Sequence, residues 1–108
     1  MITAKEILSI VGGITGVGAD AIISPSRKGE VSKARQIAVK LIRKYTAYSS
    51  TLIGIILSNR DHSTILSELG VWEDRYILYP EFRKLHDSCE SAVNEAINKS
   101  TNNLILAG

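Results

Sequence analysis

The stretch SSTLIGIILSNRDHSTIL, Ser49 to Leu66, decides the fold. Ser49 or Ser50 can cap a short helix running from Thr51 to Leu57, because a serine hydroxyl accepts from the backbone N–H groups left open at a helix start. Ser58–Asn59 then reads as a turn, since asparagine tolerates the left-handed backbone that tight turns use. Asp61 opens the next helix, which reaches Leu69 and is expected to end at Gly70. Two short helices joined by a tight turn, the second opening with polar side chains, have the layout of a helix-turn-helix.

Upstream, Thr3 and Glu6 form a capping box ahead of Ile7, Leu8 and Val11, and Gly12–Gly13 are expected to end that helix. A short helix from Asp20 to Ile23 stops at Pro25, and Ser26 to Glu30 is a polar, basic loop. Between Val31 and Tyr48, Ala34, Ile37, Ala38, Leu41, Tyr45 and Tyr48 recur at three- and four-residue spacing as one apolar stripe. Lys33, Gln36, Lys40 and Arg43 form a second stripe, expected to be an exposed face able to reach an extended polyanion. Downstream, Val71, Trp72, Tyr76, Ile77, Leu78 and Tyr79 read as a bulky loop. Pro80 then opens an amphipathic helix with the stripe Phe82, Leu85, Cys89, Ala92, Val93 and Ala96. The tail from Asn98 through Leu104–Ile105–Leu106 is expected to fray. The pattern is all-α. It predicts one domain over 1–108, with a core over 3–69 and a loop plus C-terminal helical extension over 70–108.

Composition narrows the function classes. The chain has 108 residues, of which 44% are hydrophobic and 22% charged, which suits one folded domain and excludes a disordered chain. Its longest apolar runs, such as Leu52 to Leu57, fall far short of the roughly 20 residues of a membrane span. The N-terminus lacks the apolar run and cleavage site of a signal peptide. One cysteine, Cys89, rules out an internal disulfide and fits a reducing cytoplasm. Two histidines and one cysteine cannot close a structural zinc site, so no metal is expected. The net charge of +2 conceals an uneven distribution. Residues 25–60 carry eight basic side chains against Glu30 alone, whereas 61–108 carry eight acidic against four basic. Clustered positive charge suits polyanions, because each neutralised phosphate releases counterions.

The residues from Gly16 to Leu66 carry a family resemblance. They run from Gly-Val-Gly-Ala-Asp-Ala-Ile-Ile-Ser through Val31-Ser-Lys-Ala-Arg-Gln to Asn59-Arg-Asp-His-Ser-Thr-Ile-Leu66. This stretch resembles, without a gap, the C-terminal DNA-binding domain (domain IV) of DnaA, the bacterial replication initiator. The piece Arg60-Asp61-His62-Ser63-Thr64-Ile65 looks like that family's signature at the start of its recognition helix. The resemblance implies a Trp-repressor-like helix-turn-helix bundle that binds double-stranded DNA at an AT-rich, DnaA-box-like site. It implies that Arg27 enters a minor groove, where narrow A·T tracts concentrate negative potential. It implies that Asp61, His62, Ser63 and Thr64 read base edges, and that Arg35, Gln36 and Arg43 contact phosphates. Arg60 matches a phosphate clamp or a support of the signature loop. Lys33 and Lys40 join the phosphate face by helical spacing alone.

Each assignment has an ordinary structural counterpart. Asp61 can simply be a helix cap, His62 a surface histidine, and Thr64 a methyl packed on the core. Lys28 and Lys44 read as solvated charges. The sequence also departs from the family. No G-x-x-x-x-G-K-[ST] phosphate loop occurs, so DNA binding without ATPase is expected, in transcription regulation or as a replication accessory. Leu52 and Ile55 stand where the family is usually polar or acidic. They are expected to be covered by the C-terminal helix through Phe82, Leu85 and Cys89, or by a homodimer or protein partner. A protein-interaction module that keeps the fold with weak DNA binding is the alternative. An enzyme is not expected. Consecutive Asp61, His62 and Ser63 diverge on a helix start, and His86 with Cys89 lacks a third partner, so no catalytic residue or cofactor is assigned.

Overall fold

A computed structural model describes residues 1–107 of the chain, with side chains through Ser100. The described residues form six α-helices and no strand: α1 (Ala4–Thr15), α2 (Ala19–Ile23), α3 (Gly29–Tyr45), α4 (Ser50–Ile56), α5 (His62–Leu78) and α6 (Pro80–Ala107). Each start follows local chemistry. Thr3 and Glu6 close the capping box on α1, Ser49 accepts from Leu52 N–H at 3.2 Å on α4, and Pro80 occupies the first position of α6. The turn between α4 and α5 places two consecutive non-glycine residues in the left-handed region, Ser58 at φ 61° and Asn59 at φ 56°.

Several boundaries differ from the expectations. Helix α3 runs from Gly29 to Tyr45, so Gly29 and Glu30 belong to it and not to the loop, and Tyr48 lies beyond its cap at Thr46. Helix α1 continues past Gly12–Gly13 to a left-handed cap at Gly16, φ 74°. Gly12 is there for packing: a β-carbon on it would come within 2.9 Å of the Ala19 backbone nitrogen, where α2 begins against α1. Helix α5 does not end at Gly70, and no loop follows it; one helix runs from His62 to Leu78. A helical glycine costs about 1 kcal/mol. Leu69, Trp72 and Tyr76, each partly buried against the core, together outweigh that, since even half of the roughly 1.5–3 kcal/mol of a fully buried large apolar side chain, taken over all three, exceeds it. The backbone from Asn98 to Ala107 is helical and not a frayed tail. Gly108 and the side chains of Leu104–Ile105–Leu106 lie outside the described residues.

The core is contiguous: Ile7 and Val11 of α1, Ile37 and Leu41 of α3, Ile53 of α4 and Ile65 of α5 are fully enclosed. Helix α6 closes the side of the bundle made by α1, α3 and α5, laying Phe82, Cys89 and Val93 into it. It does not cover Leu52 and Ile55. Both face away from it on α4, 40% and 57% exposed. Enclosure among apolar side chains pushes the Cys89 thiol up to about 11, so it stays protonated and inert.

Under α6 lies a polar network that the apolar stripe alone would not reveal. Trp72 Nε1 donates to His86 Nδ1 at 3.0 Å, which leaves the ring proton on Nε2, facing Glu90 Oε1 at 3.3 Å. Glu90 Oε2 in turn accepts from Lys44 and from the Tyr45 hydroxyl, and Tyr76 donates to Asp87 at 2.9 Å. Lys44 is therefore an ion-pair partner of α6 and not a lone solvated charge.

Two outcomes follow from this packing. At Gly54 a β-carbon would overlap the Arg60 carbonyl oxygen, and Arg60 N–H donates to the Gly54 carbonyl at 2.8 Å. Gly54→Ala is expected to cost about 3 kcal/mol or to prevent folding, read by urea denaturation. Burial holds His86 below its ordinary 6.5, with Glu90 opposing the shift. The folded state therefore keeps the ring neutral while the unfolded chain takes up a proton near pH 6.5. The His86 contribution is present above that pH and is lost as pH falls below it. Thermal melts from about pH 7.5 to about pH 5, followed by Trp72 fluorescence, should show this loss, and His86→Gln should reduce it.

Candidate nucleic-acid interface

Helix α2 ends with carbonyls that have no intrahelical partner, and the chain satisfies them with cations. Arg35 on α3 donates from Nε to Ile22 O at 2.8 Å and from Nη2 to Ser24 O at 2.7 Å. Arg60, in the turn before α5, donates from Nη1 to Ile23 O at 3.1 Å and Leu57 O at 2.6 Å, and from Nη2 to Ser24 O at 2.7 Å. Ser58 Oγ donates to Ile23 O at 2.6 Å. Three successive carbonyls are thus held from α3 and from the α4–α5 turn. The loop bearing Arg27 leaves from this fixed point at Pro25.

These contacts revise the expected roles of two arginines. Arg35 is 3% exposed, and its guanidinium is an internal brace; burial, reinforced by the Arg60 charge, lowers its proton affinity. Of the two alternatives for Arg60, support of the signature loop matches its three carbonyl contacts. Gln36 is also enclosed, its Nε2 donating to Ser32 Oγ at 3.1 Å and its Oε1 accepting from Arg75 at 2.8 Å. The stripe of Lys33, Gln36, Lys40 and Arg43 is therefore not one exposed face. The C-terminal half of α5 packs along it, and Lys40 Nζ sits 4.4 Å above the Trp72 ring. Only Lys33 and Arg43 stay exposed there, with Arg43 also donating to Tyr48 O at 3.3 Å.

At the start of α5, Asp61 is the cap. Its Oδ1 accepts from Thr64 N–H at 2.8 Å and from the Thr64 hydroxyl at 2.9 Å, and these bonds hold the carboxyl below its ordinary range. Asp61, His62 and Ser63 are exposed side by side. Between them and the Arg27 loop lies a cleft of about 610 Å³. Its walls include Arg27, Arg35, Arg60, Thr64, Glu68 and Arg75. Arg75 and Glu68 were missed by the sequence reading, because a helix ending at Gly70 and a lone glutamate gave no cue to a shared wall. The cluster His86, Asp87 and Glu90 has ligand atoms within 4.8 Å of one another. The three side chains bond Trp72, Tyr76, Lys44 and Tyr45, which makes the cluster a hydrogen-bond network joining α6 to α3 and α5. No helix among the described residues is long and apolar enough to cross a membrane.

Comparison with known proteins agrees with this geometry. Residues 4–70 match the family model for the bacterial dnaA protein helix-turn-helix. The chromosomal replication initiator protein DnaA of Gloeobacter violaceus is 38% identical over 84 residues, 78% of this chain and 19% of that protein. The corresponding protein of Bacteroides thetaiotaomicron is 43% identical over 65 residues, 60% of this chain and 14% of that protein. That of Mesoplasma florum is 30% identical over 99 residues, 92% of this chain and 22% of that protein. The chain spans about a fifth of the length of these relatives or less. An all-helical bundle, a turn of two left-handed residues and a capped recognition helix, matched over most of its core, make this chain a member of the DnaA C-terminal helix-turn-helix family of DNA-binding domains.

Proposed function

We propose that the chain reads double-stranded DNA at an AT-rich, DnaA-box-like site, with the start of α5 in the major groove and the Arg27 loop in the adjacent minor groove. The observation that carries this reading is the arginine-lined cleft that has Arg27 of the loop on one wall and Thr64 of the α5 start on another, with Asp61, His62 and Ser63 exposed immediately before Thr64. A strand of DNA backbone separates a major from a minor groove, and the cleft separates the two reading elements in the same way. Asp61, His62, Ser63 and Thr64 then meet base edges in the major groove and Arg27 enters the narrow A·T minor groove, while Lys33 and Arg43 meet phosphate. Arg35, Gln36 and Arg60 act through the loop and helix they position, and Lys40 through its stack on Trp72. The protein would work in the cytoplasm as a transcription regulator or replication accessory, without ATP hydrolysis by these residues.

A second reading has one specific observation. Leu52 and Ile55 are exposed beside each other on α4 and α6 does not reach them, which suits a homodimer or protein partner at that face.

Fluorescence anisotropy with a DnaA-box duplex and a scrambled duplex tests the first reading. The box should bind tighter. Arg27→Ala and His62→Ala should remove the preference, and affinity should fall with salt at a slope of roughly −3 to −4, corresponding to about four phosphates. Equal, weak binding of both duplexes overturns it. Asp61→Asn separates its two roles: asparagine caps as well as aspartate, so the melting temperature should hold while base preference changes. Replacing Leu52 and Ile55 by Glu and Asp should leave the melting temperature unchanged, and it should lower the solution mass only if that face is an interface.

A further inference from the structure

Two clefts open along the groove between α3 and α5. The larger carries Arg27, Arg35 and Arg60, and the smaller, of about 280 Å³, is walled by Lys33, Tyr79, Glu81 and Phe82. Arg75 lines both. It lies on α5 more than three turns beyond the residues proposed to read bases, in the stretch from Val71 to Tyr79 that the sequence alone reads as a loop. One of its N–H groups is fixed on Gln36 Oε1 at 2.8 Å, and Gln36 is held in turn by Ser32. No carboxylate pairs with Arg75 among the described residues, and a guanidinium has further donors to offer. Arg35 and Arg60, by contrast, are bonded to backbone carbonyls.

The one carboxylate in the larger cleft belongs to Glu68. Its Oε2 is shut off from solvent and has no hydrogen-bond partner, although arginines line the same cleft. An unpaired buried carboxylate oxygen is costly on its own. Here its charge offsets the neighbouring cations, and it favours the charged form of Arg35 against burial and Arg60.

We propose that the two clefts form one channel for DNA backbone, in which Arg75 contacts a phosphate beyond the helix-turn-helix and Glu68, the carboxylate of the larger cleft, is the resident anion against which that phosphate must bind, with Glu81 at the rim of the smaller one. This rests on the DNA reading above and extends it to two residues outside the family signature. Arg75 is pre-oriented by Gln36, so little side-chain freedom is lost on contact. Glu68 neutralises the cluster in the free protein and repels the phosphate in the complex. The two residues therefore act in opposite directions on the same step.

Salt-dependent anisotropy on both duplexes tests it, with circular dichroism as the folding control. Arg75→Gln should weaken box and scrambled duplex alike by about tenfold and reduce the magnitude of the salt slope by about one. Arg75→Lys should keep the slope while losing part of the affinity, because the charge remains and the fork does not. Glu68→Gln should tighten both duplexes by about fivefold. If Arg75→Gln does not fold, the Arg75→Lys and Glu68→Gln pair decides. Wild-type affinity and slope in the Arg75 and Glu68 variants, with Arg27→Ala still weakened, would overturn the channel and leave the DNA reading intact. A wild-type protein that binds neither duplex overturns both.

Discussion

The carbonyl end of α2 is the point on which the rest of the interface depends. A five-residue helix cannot satisfy its own C-terminal carbonyls, and those of buried Ile22 and half-buried Ile23 and Ser24 need partners from elsewhere in the chain. Arg35, Arg60 and Ser58 reach them from α3 and from the turn before α5. Three segments far apart in sequence are thereby locked in one arrangement. The constraint is costly, because two guanidinium groups converge on the Ser24 oxygen, and burial together with the Arg60 charge lowers the tendency of Arg35 to stay charged. Glu68 nearby relieves part of that repulsion. The result is a fixed offset between the Arg27 loop and the start of α5, which two reading elements in neighbouring grooves require.

The same clamp accounts for the unusual turn. Ser58 and Asn59 both occupy left-handed backbone, a conformation that disfavours residues with a β-carbon. Ser58 offsets this through its hydroxyl bond to Ile23, which a glycine could not make. Gly54 supplies the remaining room, letting the Arg60 carbonyl approach α4 closely. The turn chemistry and the arginine clamp are thus one structure and not two.

The parts legible in the sequence were those set by neighbours in the chain. The Thr3–Glu6 box, the Ser49 and Asp61 caps, the Ser58–Asn59 turn and the Pro80 start are local, and each follows from residue type at a fixed offset. The family motif was legible too, because it is itself a local string. What escaped was decided by partners distant in sequence. Gly70 reads as a stop until Leu69, Trp72 and Tyr76 are seen packed on the core. Arg35 and Arg60 read as surface charges until the α2 carbonyls, 11 and 36 residues away, claim them. Lys40 and Gln36 share a helical period with Lys33 and Arg43. Periodicity identifies a face, but it does not say whether solvent or α5 lies against it.

That last distinction changes how the positive middle of the chain is to be read. Eight basic side chains between Pro25 and Arg60 suggest a broad cationic surface, yet Arg35 and Arg60 hold backbone, Lys40 stacks on Trp72 and Lys44 pairs with Glu90. Half of the cluster is structural. The charges left to face a ligand, Arg27, Lys28, Lys33 and Arg43, are few and spread along the edge of the bundle. A small number of phosphate contacts gives weak attraction to DNA in general. In the DNA reading proposed above, discrimination then falls to the short polar start of α5 and to the fixed distance between it and the Arg27 loop. On that reading, rigidity at the clamp becomes a condition of sequence preference, since loosening the offset would cost both proposed groove contacts at once.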